Sequence, residues 1–280
     1  MTPSRWRLDG ARAVVTGGTK GIGQAVTREL LDLGASVLVA ARGEVRLDPD
    51  LDAAAKDARL HSVKADVATA SGRDRVREGR LHVVHADVAT ADGRSRIRDG
   101  IPPAWEALDV LVNNVGTNIR KPSLEVTDDE YRKVLDTNLT SAWELTRLLQ
   151  PTLKASGRAA VVNIGSVAGM RAVGSGAVYA MSKAALAHLT RYLACEWARD
   201  GIRVNMVAPW YTRTPLAGPV LGQPDVLAAI VDKTPMGRVA EPEEIAAMVA
   251  FLCLPAASYV TAQEIAVDGG FSVFGLRLRV

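Results

Sequence analysis

Cysteine is almost missing from this chain, with only Cys195 and Cys253 among 280 residues. Two isolated thiols make neither a disulfide framework nor a metal-ligand pattern, so a reducing cytosol is the simplest home. Each sits in a helical-looking stretch and reads as a small buried apolar side chain. Aromatic residues are scarce, at 5%, and none is interleaved with the basic runs, which removes the usual stacking platform for a nucleic acid. No apolar run is long enough for a spanning helix, and the opening MTPSRWRLDGARAVV carries no signal-peptide pattern. The chain is therefore expected to be cytoplasmic and to need no membrane. Charge of one sign is lacking too: the formal balance is only +3, which points to no polyanionic partner.

What is present is ordinary globular composition, 48% apolar and 23% charged, in a length that one α/β domain can occupy. Strand-like apolar runs fall at 11–16, 36–41, 108–113, 159–164, 202–207 and 264–267. Helical spacing falls between them, at 21–33, 50–58, 128–153, 178–197 and 243–252. Apolar strands alternating with amphipathic helices imply a doubly wound α/β fold, a parallel sheet covered on both faces. Ligands of such sheets bind beyond the carboxyl ends of the strands, where the strand order reverses.

One segment is repeated. Residues 60–79 read LHSVKADVATASGRDRVREG and residues 81–100 read LHVVHADVATADGRSRIRDG, a local duplication shifted by 21 positions. Two copies are too few for a solenoid. The second copy has Val83 and His85 where the first has Ser62 and Lys64, so it makes the better buried strand, and it leads directly into the next strand. Residues 81–88 are therefore expected to form the third strand, with the first copy displaced to the sheet edge or surface. The helix after each copy holds one large apolar residue, and Pro102-Pro103 interrupts the second, so both are expected to be marginal.

The chemistry begins at Thr16-Gly17-Gly18-Thr19-Lys20-Gly21-Ile22-Gly23, which follows the first strand and opens a helix. Glycines 17, 21 and 23 allow a tight turn and close approach of a pyrophosphate to the helix N-terminus. The second strand ends at Arg42 rather than at the carboxylate that would bind a ribose 2′-hydroxyl. Either Arg42 or Lys20 alone would read as a solvated charge. Together, with no carboxylate at that strand end, they suit the 2′-phosphate of NADP(H). Asn113-Asn114-Val115-Gly116 closes the fourth strand, where a glycine lets backbone pass near a ligand. Tyr179 and Lys183 stand four apart on a helix and so face the same way. An ammonium about 4 Å from the phenol would lower its pKa by roughly three units, enough for acid–base work at neutral pH. Ser166, just past the fifth strand, can offer a second hydrogen bond to a substrate carbonyl.

With TGGTKGIG, NNVG, Asn138, Ser166 and the Tyr179/Lys183 pair in this order, the chain resembles the short-chain dehydrogenase/reductase family over essentially its whole length. It looks closest to the tropinone reductase-like NADPH-dependent ketone reductases, on the phrases NNVGTNIRKP (113–122), LACEWARDGIRVN (193–205), APWYTRTPL (208–216) and TPMGRVAEPEE through VDGGF (234–271). The resemblance implies that Tyr179 is the acid–base residue, that Lys183 lowers its pKa and binds the nicotinamide ribose, and that Ser166 orients the carbonyl. It implies that Asn138 holds a proton-relaying water, and that Asn114 and Gly116 line the cofactor. Pro209, Thr212 and Thr214 would border the nicotinamide. An Asp-Val pair after the third strand would meet the adenine, and the duplication supplies two, Asp66-Val67 and Asp87-Val88. The choice of the second copy as third strand makes Asp87 the adenine contact. Trp210 stands where the family often has glycine.

The expected protein is a single Rossmann-like domain over 1–280, with seven mostly parallel strands in the order 3-2-1-4-5-6-7. It would bind NADP(H) through Gly17, Thr19, Lys20, Gly21, Ile22, Gly23, Arg42, Asp87, Val88, Asn114, Gly116, Tyr179, Lys183, Pro209, Thr212 and Thr214, and reduce a ketone through Asn138, Ser166, Tyr179 and Lys183. Trp210, Tyr211, Met170 and Val173 suggest a mostly apolar pocket for a ring-sized ketone with few polar handles. The loops 117–123, 167–176 and 210–221 would select that ketone. The family usually forms dimers or tetramers through its two long helices, here 128–153 and 178–197. An NAD(H)-dependent alcohol or sugar dehydrogenase is disfavoured by Lys20 and Arg42, and a non-catalytic NADP-binding scaffold by the intact catalytic set. Nucleic-acid binding through Arg73, Arg75, Arg77, Arg94, Arg96 and Arg98 is disfavoured by the interspersed Asp74, Glu78, Asp92 and Asp99.

Overall fold

A computed structural model describes residues 4–42 and 80–275. Seven parallel strands make one sheet in the order β3-β2-β1-β4-β5-β6-β7. They are β1 (Arg12–Thr16), β2 (Ser36–Ala41), β3 (Leu81–His85), β4 (Val110–Asn113), β5 (Ala160–Ile164), β6 (Arg203–Pro209) and β7 (Glu264–Val267). The described helices are α1 (Gly21–Asp32), α2 (Ala91–Asp99), α3 (Asp128–Leu135), α4 (Ser141–Ser156), α5 (Ala177–Trp197), α6 (Gly218–Leu221), α7 (Pro224–Lys233) and α8 (Pro242–Cys253). This is the expected doubly wound Rossmann-like fold, and every strand pairing is parallel.

Two cores sit on opposite faces of the sheet, and the alternation of side chains along each strand divides them. Ala13 and Val15 of β1 join Val37 and Val39 of β2 and the apolar faces of α1 and α8. Val14 and Leu38 point the other way, toward Leu145, Leu149 and Leu153 of α4 and Leu193 and Trp197 of α5. These strands read as continuous apolar runs because both faces are covered.

The third strand comes from the second copy of the repeat. Val37 through Ala41 pair with Leu81 through His85, and the Val37 N–H donates to the Arg80 carbonyl at 2.6 Å. The strand stops three residues short of the expected 88. The chain turns there instead: Asp87 Oδ1 accepts from the Ala89 N–H at 3.0 Å, and its carbonyl accepts from the Thr90 N–H at 3.0 Å. The first copy, Asp66-Val67 within it and the helix expected at 50–58 lie outside the described residues. After the second copy, α2 forms over only two buried residues, Gly93 and Ile97. Its ends account for it: Thr90 Oγ1 caps the Gly93 N–H, Asp92 lies in the first turn, and Arg96 and Arg98 lie in the last.

Other expectations need correction. The helix expected over 128–153 is two helices joined by a π turn at Asp136–Thr140, where the Ser141 N–H bonds the Asp136 carbonyl, and α4 runs on to Ser156. Part of the loop expected at 210–221 is helical, as α6, and α7 follows just beyond it; each carries proline in the first turn, where its missing N–H costs nothing. Cys253 is buried, and burial pushes its thiol up to about 12. Cys195 is exposed, because it lies on the solvent side of α5.

Candidate active site

The carboxyl ends of β1 to β6 open onto one cleft of about 520 Å³, within the size range of a small-molecule or cofactor site. It lies where the strand order reverses between β1 and β4. Gly17, Thr19, Lys20, Gly21 and Ile22 line one part of it, with Arg42 from the end of β2 and Asp87 and Val88 from the turn after β3. Gly17 and Gly21 have φ of +68° and +56°, which favours glycine at both. Gly23 does not line the cleft. A Cβ there would stand 2.2 Å from the Gly17 carbonyl oxygen, so this glycine lets α1 pack against its own loop. Asn114 lines the cleft and also clamps the loop: its Nδ2 donates to the Thr16 carbonyl at 2.9 Å, and its N–H donates to Thr16 Oγ1 at 2.9 Å. The first turn of α1 leaves N–H groups without helical partners, facing an anion site. A glycine cradle, a helix N-terminus and two cations along one cleft fit a dinucleotide.

The corner expected to hold a 2′-phosphate contains a carboxylate after all. Arg42 Nη1 lies 3.5 Å from Asp87 Oδ2, with both side chains partly exposed. This acid arrives not from the end of β2 but from the turn after β3, which the sheet sets beside it.

At the other end of the cleft stand Ser166, Tyr179 and Lys183. Ser166 follows β5 and caps the Ala168 N–H at 3.1 Å. Tyr179 and Lys183 share a face of α5, with Lys183 Nζ 5.7 Å from the centre of the Tyr179 ring. Lys183 is buried, donates to the Ile164 carbonyl at 2.8 Å, and is brought down to about 8 by burial. The expected lowering of the phenol by Lys183 is not what this geometry gives. Burial raises the Tyr179 pKa, and the opposing pull comes from the hydrogen bond with Ser166 and the positive charge of Arg120. The ammonium is directed at the Ile164 carbonyl rather than at the phenol oxygen.

Asn138 lies behind the cleft rather than in its wall. It sits in the π turn at 1% exposure. Its Oδ1 accepts from the Thr117 N–H at 2.8 Å, and its Nδ2 donates to the Thr117 carbonyl at 2.9 Å and to Ser182 Oγ at 3.0 Å. Ser182 in turn donates to the Tyr179 carbonyl at 2.7 Å. A Cβ on Gly116, which does line the cleft, would be 3.5 Å from both Asn138 Oδ1 and Lys183 Nζ. Asn138 therefore ties the strand-4 loop to the turn of α5 that carries Tyr179. Pro209, Thr212 and Thr214 line the cleft beneath Trp210. The indole stacks on Phe271 at 3.7 Å between ring centres, and its Nε1 donates to Thr234 Oγ1 at 3.1 Å, which makes a fixed wall.

Met170, expected in the substrate pocket, is 41% exposed and outside the cleft. Asn118, Arg120 and Ser175, which fall in the expected substrate-selecting loops 117–123 and 167–176 but were not singled out there, line the cleft near Tyr179, and the buried Asn113–Asn163–Thr190 chain beneath it was not foreseen. In that chain Asn113 Nδ2 donates to Asn163 Oδ1 at 2.9 Å, and Asn163 Nδ2 donates to Thr190 Oγ1 at 2.9 Å. A polar residue inside an apolar strand was the available signal for Asn163. Asn118 and Arg120 lie both in the phrase NNVGTNIRKP and in the loop 117–123 expected to select the ketone.

A cleft at the switch point of a parallel sheet, with Ser, Tyr and Lys at one end and a glycine loop at the other, defines a nicotinamide-dependent oxidoreductase. The chain belongs to the short-chain dehydrogenase/reductase family. A family model described as enoyl-(acyl carrier protein) reductase matches residues 69–272. A tropinone reductase homolog of Arabidopsis thaliana is 45% identical over 98% of this chain and 97% of its own length. A second such homolog of that plant is 43% identical, over 99% and 96%. Among solved structures, a gluconate 5-dehydrogenase from Burkholderia cenocepacia in complex with NADP and tartrate superposes with a TM-score of 0.83 at 28% identity, covering 97% of this chain and 98% of that one. The Pseudomonas aeruginosa RhlG/NADP active-site complex gives 0.80 at 34%, covering 98% and 100%.

Proposed function

We propose that this chain is an NADP(H)-dependent reductase that converts a ketone to a secondary alcohol, reversibly. The observation that carries the reading is the placement, along one cleft, of Ser166, Tyr179 and Lys183 at one end and Lys20 and Arg42 at the other. When bound, the nicotinamide supplies the hydride. The protein supplies the rest. The Ser166 hydroxyl and the Tyr179 hydroxyl donate to the carbonyl oxygen, and Tyr179 gives up its proton as charge develops there. A burial-raised phenol holds that proton until the oxygen becomes a strong base. Lys183, mostly protonated at neutral pH, places positive charge behind the ring. The indole of Trp210 forms an apolar wall of the site. Relatives named for tropinone reductase and neighbours solved with NADP support the same reading. A cytoplasmic homo-oligomer is the setting we propose, with the exposed Met181 and Tyr192 of α5 available to a second copy.

The Arg42–Asp87 pair favours a second reading, an NAD(H)-dependent alcohol or sugar dehydrogenase, because Asp87 takes up part of the charge that would meet a 2′-phosphate. Nucleotide titration separates the two. NADPH should bind more tightly than NADH, and Arg42→Ala should narrow the gap by about ten- to a hundredfold. Equal or better affinity for NADH in the unmodified protein would show the second reading to be correct. Tyr179→Phe should slow ketone reduction by roughly 10²–10⁴-fold with NADPH still bound. A near-normal rate in that variant would remove Tyr179 from the chemistry.

A further inference from the structure

The segment after β4 is pinned at two points. Asn138 holds Thr117 by both its N–H and its carbonyl, and Lys121 Nζ meets Glu130 Oε1 at 2.5 Å, the same Glu130 that completes the capping box of α3. Between the pins, Asn118 and Arg120 line the cleft against the start of α5. The approach is close: a Cβ on Gly176 would lie 3.0 Å from the Ile119 carbonyl oxygen and 3.8 Å from the Arg120 Cα. Gly176 has φ of +95°, a conformation that favours glycine.

Among the described residues, three polar groups here lack a partner. Ser175 is 7% exposed, lines the cleft, and its Oγ has no hydrogen-bond partner. Asn118 Oδ1 is likewise buried and unpartnered. Arg120 is exposed to the cleft, and among the described residues no carboxylate pairs with it. Buried polar atoms in native proteins are nearly always satisfied, and those that are not point to a bound group. A guanidinium beside a hydroxyl matches a carboxylate, which accepts from the planar fork and from a neighbouring O–H together, while the Asn118 side-chain carbonyl oxygen is an acceptor and is left for a donor elsewhere on the ligand.

We infer that the substrate is an oxo acid, a ketone bearing a carboxylate that Arg120 holds with the Ser175 hydroxyl beside it. This rests on the ketone-reductase reading and adds the substrate class. Val173, Trp210 and Leu216 line the same cleft and face the hydrocarbon body. The Arg120 charge also reaches Tyr179 and favours the ionised phenol, so an anion seated on Arg120 would strengthen the hold of Tyr179 on its proton until charge develops on the carbonyl oxygen.

The test uses the full chain, with and without NADPH, and two ring-sized probes, cyclohexanecarboxylate and its neutral isostere cyclohexanecarboxamide, titrated by calorimetry. The carboxylate should bind about ten- to a hundredfold more tightly. Arg120→Met should abolish that preference, Arg120→Lys should retain part of it, and Arg171→Met, on an exposed arginine outside the cleft, should leave it intact. In turnover, 3-oxocyclohexanecarboxylate should be preferred to its methyl ester by a similar factor. Equal binding of acid and amide, absence of binding, or a preference that survives Arg120→Met each overturns the inference. Acid preference without NADPH-dependent turnover of the oxo acid would instead sink the reductase reading and leave the anion site standing.

Discussion

Lys183 is 3% exposed, and among the described residues the one hydrogen bond its ammonium makes is to the Ile164 carbonyl. Its pKa in the folded chain falls from the ordinary 10.5 to about 8. Below about 8 both folded and unfolded states carry the proton, and the fold bears the full cost of the buried charge. Between about 8 and 10.5 only the unfolded chain stays protonated, so this residue makes stability rise with pH across that window. Lys183→Met removes the effect. In urea melts, the stability of the parent relative to the variant should grow by roughly 2–3 kcal/mol between about pH 7 and about pH 10. The Ile164 carbonyl loses its donor at every pH, so that loss cancels in the comparison. A difference that does not change with pH would show that Lys183 is not desolvated. Side chains of this kind were legible where spacing along one helix decided them, as for Tyr179 and Lys183. Arg42 was half legible. Its charge was plain, but Asp87 lies 45 positions away in the chain and becomes a neighbour only through the pairing of β2 with β3.

Elements were legible wherever period and end signals agreed. β2 and β7 have the expected bounds, and α1 stops one residue early, at Asp32. The π turn was hidden because one extra residue inside a helical run leaves the apolar spacing on either side looking continuous. The structural consequence is large, since that turn carries Asn138 and thereby the pins on Thr117 and Ser182. Helix α2, expected to be marginal on its single large apolar residue, draws further support from its caps and from the contact made by Gly93. A Cβ at Gly93 would lie 2.0 Å from the Asp87 carbonyl oxygen, backbone that cannot swing aside. Gly93→Ala should therefore force α2 away from the turn that places Asp87 and Val88 in the cleft. We expect a loss of about 1–3 kcal/mol in denaturant melts, against the gain in helix propensity that alanine normally brings, together with weaker nucleotide binding. A neutral or stabilised variant with unchanged affinity would mean that α2 does not position this corner.

For the molecule as a whole, the duplication sets the question of which residues the fold requires. The sheet is continuous from β2 to β3 without any described contribution from the first copy: Val37 to Ala41 pair with Leu81 to His85, and the Arg80 carbonyl accepts the hydrogen bond from the Val37 N–H that opens the ladder. Deleting residues 60–80 would join Arg59 to Leu81, so an arginine would again precede the strand and a backbone carbonyl would again meet the Val37 N–H. The Arg80 side chain also donates to the Leu31 carbonyl at 3.1 Å, and Arg59 carries the same guanidinium to the same place. The Asp87 turn, the cap on α2 and the route into β4 all lie beyond the join and keep their residues. Loop length contributes little to stability, because closure entropy changes only with the logarithm of the number of residues. The shortened chain should fold with a melting temperature at or slightly above that of the parent and should bind NADPH with the same affinity, measured by thermal melts and nucleotide titration on both chains. An insoluble product, or a folded one that has lost the nucleotide, would make the first copy structural and turn attention to Asp66 as the acid at the adenine end of the cleft.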